Sequence, residues 1–289
     1  MYALPETRSL AVFDRLPERY AKPRQSRWAD INLAGHHAGC FLEGPAFDQA
    51  GNLYVVDIPF GRIFRRDPAG SWHLVIEYDG WPNGLKILPD GRLLVADFRR
   101  GLVRVDPASG GFDVLFDSID GQPLHGLNDL TFGPDGTLYI TDQGQTGLHD
   151  PRGRVLRMTP DGSVSVLLHN GPSPNGLVFD QQKPWLYVAM TRGNAIWRVP
   201  LFEGEPVKVG IAVQLSGGIG PDGIAMDAEG RLLVAHMQIG VWHFDARNRP
   251  LALYEAPADS YTTNLAVRDK RIYVTDSIQG RILTAALVD

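Results

Sequence analysis

The chain of 289 residues repeats one short unit six times. Each unit begins with an apolar strand pattern, turns through a motif such as P-D-G-R-L or A-E-G-R-L into a second strand, and reaches a third strand such as R-I-F-R after a glycine-bearing loop. The copies begin at E-G-P-A-F-D, P-N-G-L-K-I, L-N-D-L-T-F, P-N-G-L-V-F, P-D-G-I-A-M and T-T-N-L-A-V. A weaker fourth strand follows most of them. Four short strands per repeat of about 45 residues indicate the blade of a β-propeller.

When the six copies are aligned, two columns of mostly polar residues recur at matching intervals. The column before the first strand reads Glu43, Asn83, Asn128, Asn175, Asp222 and Thr263, at intervals of 40, 45, 47, 47 and 41 residues. The column at the end of the second strand reads Asp57, Asp97, Asp142, Met190, His236 and Asp276. We therefore predict an all-β fold, a six-bladed β-propeller with four antiparallel strands per blade.

The last copy, from Thr263, supplies only three strands, so an N-terminal strand is needed to close the last blade. We assign that strand to W-A-D-I-N-L, residues 28–33. Pairing there would remove two exposed sheet edges. Residues 1–25 are then predicted to form an N-terminal extension and residues 26–289 a single propeller domain.

Composition excludes several classes of protein. Hydrophobic residues make up 44% and charged residues 21% of the chain, as in soluble globular proteins. The net charge is −5 and no basic run occurs, which argues against a nucleic-acid partner. No apolar stretch reaches the roughly 18 residues that span a bilayer, and the first residues lack a secretory signal. We expect a cytoplasmic protein without membrane association, and the oligomeric state stays open.

The first column predicts a metal site. In a propeller, the start of the first strand and the end of the second lie on the same face, so both columns should converge at the mouth of the central channel. Glu43, Asn128, Asn175 and Asp222 offer oxygen donors, which suit a hard divalent cation. An Asn-Gly pair alone is ordinary turn chemistry. Glutamate is no special turn former, so Glu43 favours the metal.

The second column and nearby residues have mixed interpretations. Asp57, Asp97 and Asp276 are expected to cap the loops that follow them. Asp142 opens a long loop and could hold a second cation or line the pocket. The candidates for substrate contact are Asn83, Asn128, His125, Asp142 and His236. For the two histidines a structural role is the alternative.

Four motifs in this order resemble the senescence marker protein / gluconolactonase / luciferin-regenerating-enzyme family: E-G-P-A-F, L-N-D-L with D-G-T-L-Y-I-T-D, S-P-N-G-L, and G-P-D-G-I-A-M-D-A-E-G-R-L-L-V-A. The resemblance implies a six-bladed propeller with one divalent cation in its central channel. It implies metal coordination by Glu43, Asn175 and Asp222, with Asn128 near the metal or binding substrate. It also implies lactone hydrolysis, with Asp222 as both ligand and general base.

The function predicted from these residues is a divalent-metal-dependent hydrolase that opens a small-molecule lactone. Ca²⁺ is the first choice of metal, with Zn²⁺, Mn²⁺ and Mg²⁺ as alternatives. Animal sugar-lactone hydrolases of the family carry an arginine where this chain has Gly126. An apolar lactone, or another cyclic ester or ketone, is therefore an alternative substrate, compatible with the rim residues Phe60, Trp81, Phe98 and Met190. Packing between blades is the alternative role for these aromatic side chains. Hydrolysis of a phosphoester and non-catalytic binding of a ligand are also compatible with a propeller of this kind.

Overall fold

The computed structural model describes residues 5–288 and confirms the predicted six-bladed propeller. The first strand of each blade contacts the first strand of the next, and the sixth contacts the first, so the innermost strands form a closed ring. Successive strands within a blade pair antiparallel. No helix of residues 5–288 is long and apolar enough to cross a lipid bilayer.

Several short elements precede the first blade. These are β1 (Glu6–Ser9), β2 (Ala11–Arg15), a 3-10 turn (Glu18–Tyr20) and helix α1 (Arg27–Asn32). Blade 1 consists of β3 (Leu42–Phe47), β4 (Leu53–Asp57), β5 (Arg62–Arg66) and β6 (Trp72–Glu77), with a 3-10 turn at Ile58–Phe60. Blade 2 consists of β7 (Pro82–Ile87), β8 (Leu93–Asp97), β9 (Gly101–Val105) and β10 (Phe112–Phe116), followed by a small hairpin of β11 (Ser118–Ile119) and β12 (Gln122–Pro123).

Blades 3 to 6 follow the same plan. Blade 3 consists of β13 (Leu127–Phe132), β14 (Leu138–Asp142), β15 (Gly153–Met158) and β16 (Val164–Gly171). Blade 4 consists of β17 (Pro174–Phe179), β18 (Trp185–Met190), β19 (Ala195–Phe202) and β21 (Gly210–Gln214), with β20 (Glu205–Pro206) paired antiparallel to the end of β19 and a 3-10 turn at Thr191–Gly193. Blade 5 consists of β22 (Pro221–Met226), β23 (Leu232–His236), β24 (Gly240–Phe244) and β25 (Pro250–Glu255). Blade 6 consists of β26 (Thr262–Arg268), β27 (Arg271–Asp276) and β28 (Arg281–Ala286).

An N-terminal strand closes the last blade, but the predicted position of that strand is wrong. Strand β2 pairs antiparallel with β28, and β1 adds a parallel edge strand to blade 5. The closing strand therefore lies within the segment that the sequence placed outside the propeller. An ion pair from Asp14 to Arg66 of blade 1 holds it in place.

Residues 28–33 fail as a strand because local signals favour a helix. The Ser26 hydroxyl accepts a hydrogen bond from Ala29 N at 3.1 Å, which caps α1. Trp28 and Ala29 are buried on the face that meets the propeller, while Ile31 is half exposed. Burying the indole outweighs the pairing that an extended segment would gain.

The core is divided among the junctions between blades. Six apolar clusters fill the six interfaces, each built from the facing sheets of two neighbours. Between blades 1 and 2, for example, Val56 packs in one cluster with Leu85 and Val95, all fully buried. Each such side chain contributes about 2 kcal/mol through removal from water. Because both faces of a blade are covered, the second strands are apolar except near their ends, whereas the first strands also carry polar residues such as Glu43 and Asn128.

Candidate metal centre

A β-bulge at the start of each first strand directs the first polar column toward the axis. The register between the first and second strands shifts beside this column in all six blades. A bulge re-aims a side chain without ending the strand. The side chains thus brought to one cavity of about 130 Å³ are Glu43, Asn83, Asn128, Asn175 and Asp222.

The Asn-Gly and Asp-Gly pairs lie inside these strands, so interpreting them as turn residues is wrong. Glycine is needed because neighbouring first strands approach closely near the axis. A Cβ added to Gly176 would lie 2.5 Å from the Asp222 carbonyl oxygen and 2.6 Å from Gly223 Cα. Real Cβ atoms do not come this close to backbone. The glycine therefore allows Asn175 and Asp222, from blades 4 and 5, to lie side by side.

Three buried carboxylates lie close together here: Glu43 and Asp222 line the cavity, and the charge of Asp129 acts on both. Glu43, Asp129 and Asp222 are 3%, 3% and 6% exposed, and none forms an ion pair with a lysine or arginine among residues 5–288. Burial, reinforced by the charge of Asp129, raises the pKa of Glu43 to about 7. Burial, then the charges of Glu43 and Asp129, raises the pKa of Asp222 well above its ordinary value. Burying unpaired carboxylates costs free energy that a bound cation offsets.

Asp129 completes this group and was missed as a site residue. The sequence draws attention to Asn128 in L-N-D-L, whereas the neighbouring aspartate takes the position that is glycine in four other blades. Asn264 takes the same position in blade 6, directly across the ring, and its side chain is close enough to the Asp129 and Glu43 carboxylates to lower the pKa of both. The sequence repeats do reveal these two residues, because Asp129 and Asn264 are the only members of their column that are not glycine.

A hydrogen-bond chain fixes the orientation of Asn128. Its Nδ2 donates to Gln143 Oε1 at 2.9 Å, and Gln143 Nε2 donates to Ser173 Oγ at 3.0 Å. Ser173 itself has a positive φ of 65°, which is strained for a residue with a side chain. Because the amide nitrogen of Asn128 is used in this chain, its oxygen remains available as a ligand. Gln143 and Ser173 also line the cavity.

Three residues predicted to contact substrate do not line the cavity: His125, Asp142 and His236. Asp142 is fully buried, and its carboxylate accepts hydrogen bonds from Gly126 N and from Arg154. His236 is also fully buried, with Nε2 3.1 Å from Gly217 O and Nδ1 accepting from the Trp242 indole. Both side chains are used structurally, which is the role that the sequence left open for the histidine.

The other three aspartates of the second column bond to loop backbone, but only Asp97 caps the loop that follows it, as expected. Asp57 and Asp276 instead hold the loop that precedes the first strand of their own blade. Asp57 accepts from Phe41 N and Asp276 from Tyr261 N, each at 2.8 Å, and Asp97 accepts from Arg99 N at 2.8 Å. These bonds fasten the end of a second strand to neighbouring loops.

One wall of the cavity is apolar. It consists of Trp28, Phe41, Ile58, Phe98 and Met237. Trp28 comes from α1 and packs on Phe41 with ring centroids 4.6 Å apart. Of the four apolar rim residues noted in the sequence, only Phe98 lines the cavity; Trp81 packs behind it, Phe60 lies under Arg24, and Met190 is in the core.

The donor set fits a hard cation. No three His, Cys, Asp or Glu side chains come together as metal ligands within residues 5–288. A cation here would be held by two carboxylates, Glu43 and Asp222, and two carboxamides, Asn128 and Asn175. Oxygen-only donors with a charge of −2 suit Ca²⁺, Mg²⁺ or Mn²⁺.

The chain is similar in sequence or in fold to several known proteins. The chain is 29% identical over 237 residues to lactonase drp35 of Staphylococcus aureus, covering 78% of this chain and 71% of the relative. It is 29% identical over 170 residues to a gluconolactonase of Zymomonas mobilis, covering 51% and 48%. The solved structure of a calcium-binding regucalcin from Agrobacterium tumefaciens shares the fold, with a TM-score of 0.78, 24% identity and coverage of 98% and 96%.

A gluconolactonase structure from Xanthomonas campestris also shares the fold, with a TM-score of 0.77, 22% identity and coverage of 96% and 99%. The family model described as the SMP-30/Gluconolactonase/LRE-like region matches residues 41–284, which include the first strands of all six blades and the whole polar column. The chain therefore belongs to the SMP-30/gluconolactonase/LRE-like family.

Proposed function

We propose that this protein is a divalent-metal-dependent hydrolase that opens a lactone ring. The observation that carries the proposal is the convergence of Glu43, Asn128, Asn175 and Asp222 in one buried cavity, where no lysine or arginine is ion-paired with the carboxylates among the described residues. The lactonase and gluconolactonase among its relatives support the reaction class. Ca²⁺ is the metal that we favour, followed by Zn²⁺, Mn²⁺ and Mg²⁺.

The chain's own residues would share the work as follows. A divalent cation bound by the four side chains would supply a Lewis acid for the lactone carbonyl. The Asp222 carboxylate, whose pKa is raised by burial and by neighbouring charges, is the basic group placed to accept a proton from the attacking water. Asn83 and the oriented Asn128 would hydrogen-bond to substrate, and the apolar wall at Trp28 and Phe41 would exclude bulk water.

Asp222→Asn tests the proposal with almost no change in shape. We expect purified wild-type protein to contain or bind one equivalent of metal and to open members of a panel of alkyl, aryl and sugar lactones. The variant should lose at least about 100-fold in turnover, because one side chain serves as ligand and base. Asp90→Asn is the matched control, since Asp90 lies in an exposed turn between β7 and β8.

The outcomes distinguish the candidate functions. Metal-dependent turnover that Asp222→Asn abolishes and Asp90→Asn preserves supports the proposal. Metal binding with turnover only of cyclic phosphoesters or ketones would move the protein to another reaction class. Absence of both metal binding and turnover would identify a non-catalytic propeller.

A further inference from the structure

A second cavity adjoins the candidate metal centre. It has a volume of about 400 Å³ and is lined by Thr146, Gly147, Leu148, His149 and Arg192. Arg192 also lines the metal-centre cavity, so its side chain lies where the two spaces meet. A ligand bound at the centre could therefore extend past Arg192 into this outer cavity.

The Arg192 guanidinium has no partner in the part of the chain that the structure describes. No carboxylate, carbonyl or ring of residues 5–288 accepts its charge by direct contact. The backbone beneath it is held firmly: Arg192 N donates to Pro172 O, and the Thr191 hydroxyl donates to Pro221 O at 2.8 Å. An exposed cation on a fixed backbone, at the junction of two cavities, is suited to binding an anionic ligand group.

The loop of residues 143–150 adds no unpaired carboxylate to this outer space. Its one carboxylate, Asp150, is already paired with Arg152, through bonds of 2.6 and 2.8 Å. His149 and His125 lie near that carboxylate as well. The loop is tied back on itself by two backbone bonds between Gly147 and Asp150, and to the centre by the Thr146 hydroxyl, which accepts from Ser173 N.

We propose that Arg192 and the loop of residues 143–150 form an outer subsite that binds a carboxylate carried by the substrate. This inference rests on the proposed function and narrows its substrate class to lactones with an acidic substituent. The apolar wall at Trp28 and Phe41 lines the metal-centre cavity itself and would receive the ring.

The test compares two substrates that differ only in charge: 5-oxotetrahydrofuran-2-carboxylate and its carboxamide. The wild-type protein should prefer the acid. Arg192→Gln should lower kcat/KM for the acid by about tenfold or more, mainly through KM, and leave the amide unchanged, because a hydrogen bond to a charged group is lost. Arg192→Lys should restore part of the preference. Arg249→Gln removes an equal charge from an exposed turn between β24 and β25 and should change nothing.

The results that would overturn the inference are distinct from failure of the proposed function. Equal losses for acid and amide in Arg192→Gln, or no loss for either, would overturn it. If the wild-type protein opens no lactone, calorimetric binding of tetrahydrofuran-2-carboxylate and its carboxamide decides the question. Binding of the acid that Arg192→Gln weakens would support the subsite, and binding that the substitution leaves unchanged would remove it.

Discussion

The Asp142 carboxylate joins three parts of blade 3, because it accepts a hydrogen bond from Arg154 Nε at 2.7 Å and another from Gly126 N at 2.8 Å. The first bond connects the end of β14 to the start of β15. The second fixes the loop that leads into β13 and hence to Asn128. The same arrangement recurs in blade 1, with Asp57 and Arg62, and in blade 6, with Asp276 and Arg281.

Asp142→Asn should therefore destabilise the fold. The substitution removes the charge of a fully buried carboxylate and leaves a mostly buried guanidinium without compensation. Breaking such a pair costs about 3 kcal/mol in the free energy of unfolding. Urea titration followed by circular dichroism measures the loss, and Asp113→Asn, in an exposed pair with Arg104, should change stability by less than about 0.5 kcal/mol. Unchanged stability with weaker substrate binding would instead give Asp142 the contact predicted from sequence.

Gly176→Ala should disturb the centre of the ring. The added methyl group would overlap the backbone of blade 5 beside Asp222, which costs about 2 kcal/mol of stability and moves a ligand. Gly210→Ala is the control, because nothing lies within 4 Å of its Cβ position and its φ is not left-handed. Thermal unfolding and metal titration of both variants check the expectation, which fails if they behave alike.

Metal affinity should fall as the pH drops below about 7. The pKa of Glu43 in the metal-free protein is about 7, raised by burial from 4.5, and a cation needs the ionised form. Below pH 7 the proton competes, so affinity should decrease about tenfold per pH unit. Calorimetric titration between pH 6 and 8 measures this. In Glu43→Gln, affinity should be low and this part of the pH dependence absent; the same slope would exclude Glu43 as its source.

The raised pKa of Glu43 also affects the stability of the metal-free protein. Here low pH is favourable, whereas metal binding is favoured by high pH. A folded-state pKa above the unfolded one gives stability that is fully present below pH 4.5 and is lost as the pH rises through about 7. We expect the difference in stability between the wild-type protein and Glu43→Gln to change across this window in metal-free buffer. Urea unfolding at pH 5 and pH 8 tests it, and a difference independent of pH would contradict the shifted pKa.

Gln143→Leu should weaken metal binding without unfolding the protein. Gln143 holds the amide nitrogen of Asn128, and a leucine of similar size leaves that carboxamide free to rotate. Loss of a group that orients a ligand reduces affinity by about tenfold. Gln279→Leu, which removes an exposed bond to Asp259 O, is the control for the loss of a glutamine side chain.

Period and spacing were sufficient to predict the blades and the residues that share an axis. Glu43, Asn128, Asn175 and Asp222 recur at blade intervals, so the repeat itself brings them together. The repeat spacing does not determine which groups these side chains bond to. An aspartate at a strand end can face solvent, a cavity or an arginine elsewhere in the chain. Only the packed structure shows that Asp142 pairs with Arg154, 12 residues later.

The N-terminal segment shows a second limit of pattern reading. Ala11–Arg15 and residues 28–33 offer comparable strand patterns, and the choice between them depends on Ser26 as a cap and on the rim that buries Trp28. Arg192 was missed for a related reason: it is outside both columns, and its unpaired state within residues 5–288 is visible only once its neighbours are placed.

The closing strand also links biosynthesis to the candidate centre. Val12 of β2 pairs with Leu283 of β28, so residues from the two ends of the chain must meet before the sixth blade is complete. Contacts so distant in sequence form slowly and late. A nascent chain with five blades already contains Glu43 and Asp222 but has no ring to hold them at one axis. Metal capture is therefore expected only after β28 has been made and has paired with β2, when closure of the ring and assembly of the centre occur as a single event.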